Sequence, residues 1–252
     1  MYILTQFLLR ISFGLALGMA LTSPKRVTSG YYRNHLYVLL GLNVLATMVA
    51  FASEGRFPWW PPLVAAVLSY LGAAVWLYEK PRAGIAILAL ISAVTLWGAR
   101  IAGKPAPDEA GPAVWLLNAV DPLTGGLVLG ITIAAMFLGH WYLNSPTMAL
   151  APLQRLVAMM GAVLIARAVV VAIGLALDLH GAGVPATDRL LFLSLRWLAG
   201  ILGPLALVWM TWQTLKIPNT QSATGILYVG VIGTFLGELT SLLLSPELAY
   251  PL

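Results

Sequence analysis

Eight apolar stretches, each long enough to cross a bilayer, limit what this chain can fold into. A spanning helix needs about 20 mostly apolar residues, because the hydrocarbon layer is roughly 30 Å thick and each helical residue rises about 1.5 Å. Such stretches run over residues 4–22, 34–52, 60–78, 83–102, 122–143, 153–177, 189–215 and 224–245. Backbone amides in lipid must be satisfied internally, and uninterrupted runs of this length do so as helices. The expected fold is all-α: a polytopic integral membrane protein with about eight transmembrane helices.

Composition points the same way. Of 252 residues, 60% are hydrophobic and 9% charged, against roughly 25% charged in a soluble domain. A water-soluble globule keeps a broad polar skin, so a soluble enzyme, a nucleic-acid-binding module and a disordered regulator are all excluded. The net charge of +5 comes from cations in short loops, where they set topology and do not attract nucleic acid. Cysteine is absent, which excludes disulfides, thiolate metal sites and Fe–S clusters. Three histidines leave little room for a metal centre, and none is expected. MYILTQFLLR has no basic run before its apolar stretch, so it reads as a retained first helix and not as a signal peptide.

Loops on one face hold Lys25, Arg26, Arg33, Lys80, Arg82, Arg155 and Lys216, and those on the other hold Arg56, Arg100, Lys104 and Arg189. Seven cations against four favour the first face as cytoplasmic, which puts the protein in the cell membrane with both termini outside. Residues 104–121 form the expected extracytoplasmic loop, separating four membrane helices over 1–103 from four over 122–252. Asp121-Pro122 reads as an N-cap followed by proline at the first helical position, with Asp188 in a similar capping role. Ser23-Pro24 recurs as Ser145-Pro146, and Arg33 as Arg155, both 122 residues apart. These echoes suggest two tandem four-helix halves related by an axis along the membrane normal.

Ionisable side chains within a bilayer are costly and mark candidate sites. Setting aside loops and caps leaves Arg10, Arg167, Arg196 and Glu238. Counted from the outer helix ends, all four fall at about 12–15 Å depth. Three arginines against one glutamate leave a formal surplus of two positive charges. Guanidinium groups suit a carboxylate, a phosphate or a quinone carbonyl, so Arg167, Arg196, Glu238 and Arg10, with the Trp197 ring as a wall, form the expected ligand-binding set. A purely structural ion-pair knot is an equal reading, and Arg10 has the further alternative of snorkelling to the headgroups. Gly200, Gly203 and Pro204 interrupt the seventh stretch nearby. His140, Trp141 and Tyr142 read as an interfacial belt, with haem ligation by His35 and His140 not expected. The polar segment 216–225 reads as a turn with Ser222 or Thr224 capping the last helix. Gly14-xxx-Gly18 and Gly126-xxx-Gly130 are helix-packing motifs.

No nucleotide-binding, zinc-protease or serine-hydrolase motif occurs, so the chain carries no self-contained catalytic machinery. The leading expectation is a membrane subunit of a larger, quinone-linked respiratory or redox complex. In it Arg167 or Arg196 would bind the quinone, Glu238 would relay protons, and partner subunits would supply the redox centres. No covalently held cofactor is implied. The alternatives are a secondary transporter or lipid-handling protein for an anionic solute, and an enzyme acting on a membrane lipid through Glu238 and His140. The last is weakened by the opposite faces expected for those two residues.

Overall fold

A computed structural model describes residues 2–53, 57–103, 111–145, 147–182, 187–245 and 250–251, with the side chains of 2, 181, 182, 187 and 188 not included. The described residues form α1 (Tyr2–Ala20), α2 (Ser29–Phe51), α3 (Trp60–Leu77), α4 (Pro81–Ile101), α5 (Pro112–Asn144), α6 (Ala151–Ala182), α7 (Thr187–Trp197), a π-helical turn (Leu198–Leu202), α8 (Gly203–Lys216) and α9 (Thr220–Leu244). With α7, the π turn and α8 counted as one, eight spans are long and apolar enough to cross a membrane. The protein is an all-helical, multi-pass, membrane-embedded chain.

Local chemistry explains most of the helix ends. Proline occupies the first turn of α3, α4 and α5, where its missing N–H costs no helical hydrogen bond. Asn219 caps α9, its side-chain oxygen accepting from the Ser222 amide at 2.9 Å. This corrects the expected Ser222 or Thr224 cap. Asn219 immediately precedes the first helical residue, whereas the Thr224 hydroxyl already donates to the Thr220 carbonyl within the helix. α6 runs to Ala182, beyond the expected 177, and Asp178 in its last turns pairs with Arg189 at the start of the next span. The expected cap at Asp188 involves a side chain outside the described residues.

The largest departure is at α5. It starts at Pro112, so Asp121 and Pro122 lie inside the helix and not at its entry. Gly111 is extended and Pro112 fits the first turn, and residues 113–120 contain no helix breaker. The expected loop over 104–121 is therefore helical from 112 onward, and residues 104–110 lie outside the described set. Proline in mid-span is tolerated when neighbouring helices resupply the backbone.

The eight spans form two rings of four. α1 packs on α2 and α4, and α3 closes the ring between those two. In the same order α5 packs on α6 and α9, and α8 closes between them. The rings join mainly through α1 and α5. These are the two central helices, with 78% and 83% of their apolar windows buried against 28–44% for the other six. Glycine permits the junction: a Cβ on Gly14 would collide with the Gly126 carbonyl, and one on Gly130 with the Gly14 backbone. The two small-residue motifs thus pack against each other, bringing two backbones into direct contact.

Candidate functional site: a buried arginine–carboxylate cluster

Five helices each contribute one charged side chain to a single cluster: Arg10 from α1, Asp121 from α5, Arg167 from α6, Arg196 from α7 and Glu238 from α9. Arg167 is its hub. Its Nε and Nη2 donate to the two oxygens of Glu238 at 3.0 and 2.8 Å, and its Nη1 donates to Asp121 Oδ1 at 2.7 Å. The hydroxyls of Thr124 and Ser241 accept further bonds from it at 3.2 and 3.3 Å. Arg196 Nη2 donates to Glu238 Oε1 at 2.8 Å. Arg10 Nη2 donates to Asp121 Oδ2, and Arg10 Nη1 lies 3.9 Å from Glu238 Oε2.

The arrangement is almost dry. The four residues expected from the sequence are 0–1% exposed, and only the Asp121 side chain, at 14%, has contact with the exterior. Paired guanidinium–carboxylate forks are the geometry in which buried charge is tolerable, because attraction and hydrogen bonds offset desolvation. Small residues make the space. A Cβ on Gly125 would come within 2.5 Å of Glu238 Oε2 and 2.8 Å of Arg10 Nη1. Gly200 on the π turn and Gly237 on α9 touch backbone to backbone, and a Cβ on Gly237 would sit 2.9 Å from Arg196 Nη1. The π turn is set by sequence. Pro204 has no N–H to give the Gly200 carbonyl, and the Gly203 amide reaches back five residues to Leu198.

The local sequence of Asp121 is that of an interfacial cap, but the structure makes it the second, half-buried acid of the cluster. Its signal was present in two places: the apolar run 113–120 that extends the helix upstream, and the poor balance of three arginines against one glutamate. With Asp121 the cluster holds three positive and two negative charges, a surplus of one and not two. That surplus has a structural counterpart. Arg10 Nε and Nη1 and Arg196 Nε and Nη1 are buried and have no hydrogen-bond partner.

The other expected site residues lie elsewhere. Trp197 is half-buried beside an apolar crevice of about 390 Å³ between α6 and α7, with Leu175, Leu179 and Leu190 on its walls. The Trp197 Nε1 is buried without a hydrogen-bond partner. His140, Trp141 and Tyr142 sit nineteen or more residues beyond Asp121 on α5, roughly 28 Å along the helix. There His140 faces the Tyr228 hydroxyl at 3.4 Å, Trp141 donates to Thr28 at 2.8 Å, and Tyr142 donates to the Ala149 carbonyl. His35 stacks on Phe137 at 4.4 Å, its Nδ1 2.6 Å from the Tyr31 carbonyl oxygen. No family model, curated protein or solved structure matches the chain.

Proposed function

We propose that this protein is the membrane subunit of a larger, quinone-linked redox assembly in the cell membrane, and that the arginine–carboxylate cluster receives the ligand's acceptor oxygen. One observation carries the reading: the buried guanidinium groups of Arg10 and Arg196 retain donors with no acceptor, in a cluster one positive charge in excess. Buried unpaired donors are expensive, and a carbonyl or phenolate oxygen would complete them. The ligand gains most in its anionic state, where the surplus charge also acts. In this reading Arg10 and Arg196 hold the ligand, while Arg167, fully engaged, positions the two carboxylates. Proton exchange falls to Asp121, the one member whose side chain is partly accessible, because Glu238 is enclosed by three arginines. The redox centres belong to partner subunits, and both termini lie outside.

Gentle purification from native membranes, followed by identification of copurifying subunits and extraction of lipids, tests this directly. A stable complex with redox subunits and stoichiometric quinone supports the assignment, and Arg196→Gln should lower quinone affinity about tenfold, the effect of losing one charge-assisted hydrogen bond. A lone protein without quinone would overturn it.

A second reading, a transporter for an anionic solute, draws on a different feature. Two local perturbations of the spans, Pro122 inside α5 and the π turn before α8, flank the cluster, and broken helices mark transporter sites. Uptake of an anion into proteoliposomes containing the protein alone, lost in Arg196→Gln, would favour it over the first.

A further inference from the structure

A second, unrelated site lies at the membrane surface, where the connection after α1 meets the start of α6. A cavity of about 330 Å³ there is lined by Lys25 and Arg26 from the α1–α2 connection and by Arg155 from α6, with Ser23, Leu21 and Leu156 among the remaining walls. That volume is at the lower end of the range for small-molecule sites, roughly 300–1,000 Å³. No acidic residue lines it, and among the described residues none of the three cations is in an ion pair. All three are exposed, whereas Leu156 behind them is buried. Charge at the rim and apolar side chains beneath match the order of groups in a phospholipid at the interface.

The surroundings make the cavity specific. Lys25 and Arg26 also border a neighbouring cavity toward the α3–α4 turn, but Glu79 lines that one and opposes an anion there. The tandem arrangement does not duplicate the site, because the α5–α6 connection, residues 145–150, contains no lysine or arginine. The seven cations of this face meet only one acid, Glu79.

We propose that this cavity binds the phosphate headgroup of an anionic phospholipid of that leaflet, clasped by Lys25, Arg26 and Arg155. Basic pockets between transmembrane helices are the expected form of such recognition. The bound lipid would join the two rings at the surface, since Lys25 and Arg26 belong to the first and Arg155 to the second.

The test uses the full chain in neutral detergent, titrated with phosphatidylglycerol, with phosphatidylcholine and with inorganic phosphate, and read by native mass spectrometry and thermal shift. Phosphatidylglycerol should bind and raise the melting temperature, and the other two should not compete at equal concentration. Each of Lys25→Gln, Arg26→Gln and Arg155→Gln should weaken binding about fivefold and the triple variant about a hundredfold, with Arg155→Lys recovering most of the single loss. Arg82→Gln and Lys216→Gln, on the same face but outside the cavity, should change binding by less than about twofold. The proposal is overturned if the triple variant binds like the parent protein, or if the two outside variants lose as much. Inorganic phosphate binding as tightly as the lipid would overturn the lipid assignment in favour of a free anion.

Discussion

The two rings of four helices share one neighbour order and differ in how their interiors handle polarity. In the first ring several buried polar side chains bond within their own helix: Asn43 to the Leu39 carbonyl, Ser69 to Ala65, Ser92 to Leu88 and Thr95 to Ile91. Such bonds satisfy a group without saying which helix lies next to it. Contact between helices there relies mainly on shape, as where Tyr32 stacks on Trp76 at 3.9 Å and Trp76 fills the space left by Gly84, with single neutral bonds added from Ser92 to the Phe13 carbonyl and from Tyr31 to the Ala134 carbonyl. In the second ring Arg167, Arg196 and Glu238 find partners only on other helices. Among the described residues the first ring has no ion pair between its own helices, and its Arg10 reaches into the second. Polar groups satisfied locally leave packing to choose the neighbours, whereas groups satisfied at a distance specify them.

That contrast can be broken by measurement. Arg167→Ala strips both carboxylates of their shared partner and should cost about 3–5 kcal/mol, read as loss of folded protein in a denaturant titration in detergent. A loss below about 1 kcal/mol would reduce the cluster to an ornament of packing. Gly125→Val, which drives a side chain into Glu238 and Arg10, should destabilise by about 1–3 kcal/mol and shift the same curve. If it is neutral, the tight fit at the cluster is not real. A double-mutant cycle on Tyr32 and Trp76 should return a smaller coupling, about 0.5–1.5 kcal/mol. A coupling as large as that between Arg167 and Glu238 would erase the difference between the rings. Ser69→Ala should change stability least, by about 0.6 kcal/mol or less. A large effect there would show that the local bond carries information between helices.

Much of the fold was legible because spanning is a local property. Length and hydropathy place all eight helices, and the cost of charge in lipid singles out Arg10, Arg167, Arg196 and Glu238 before any contact is known. Asp121 escaped for a physical reason. Aspartate before proline has the local chemistry of a helix entry, and only the upstream turns from Pro112 to Val120, buttressed by ion pairs to α1 and α6, make it an interior residue. The Ser222 and Thr224 alternatives failed in a similar way, since three nearby polar residues can each cap and the backbone's actual turn selects Asn219.

Sequence by itself determined that this chain lies in a membrane, how many times it can cross, and which few side chains resist being there. Tertiary structure decided which of those side chains meet, that a fifth joins them, and that one positive charge remains unmatched. Burying apolar surface in lipid depends on each segment alone. Neutralising a buried charge depends on groups brought from four other helices, and no local stretch of sequence contains them.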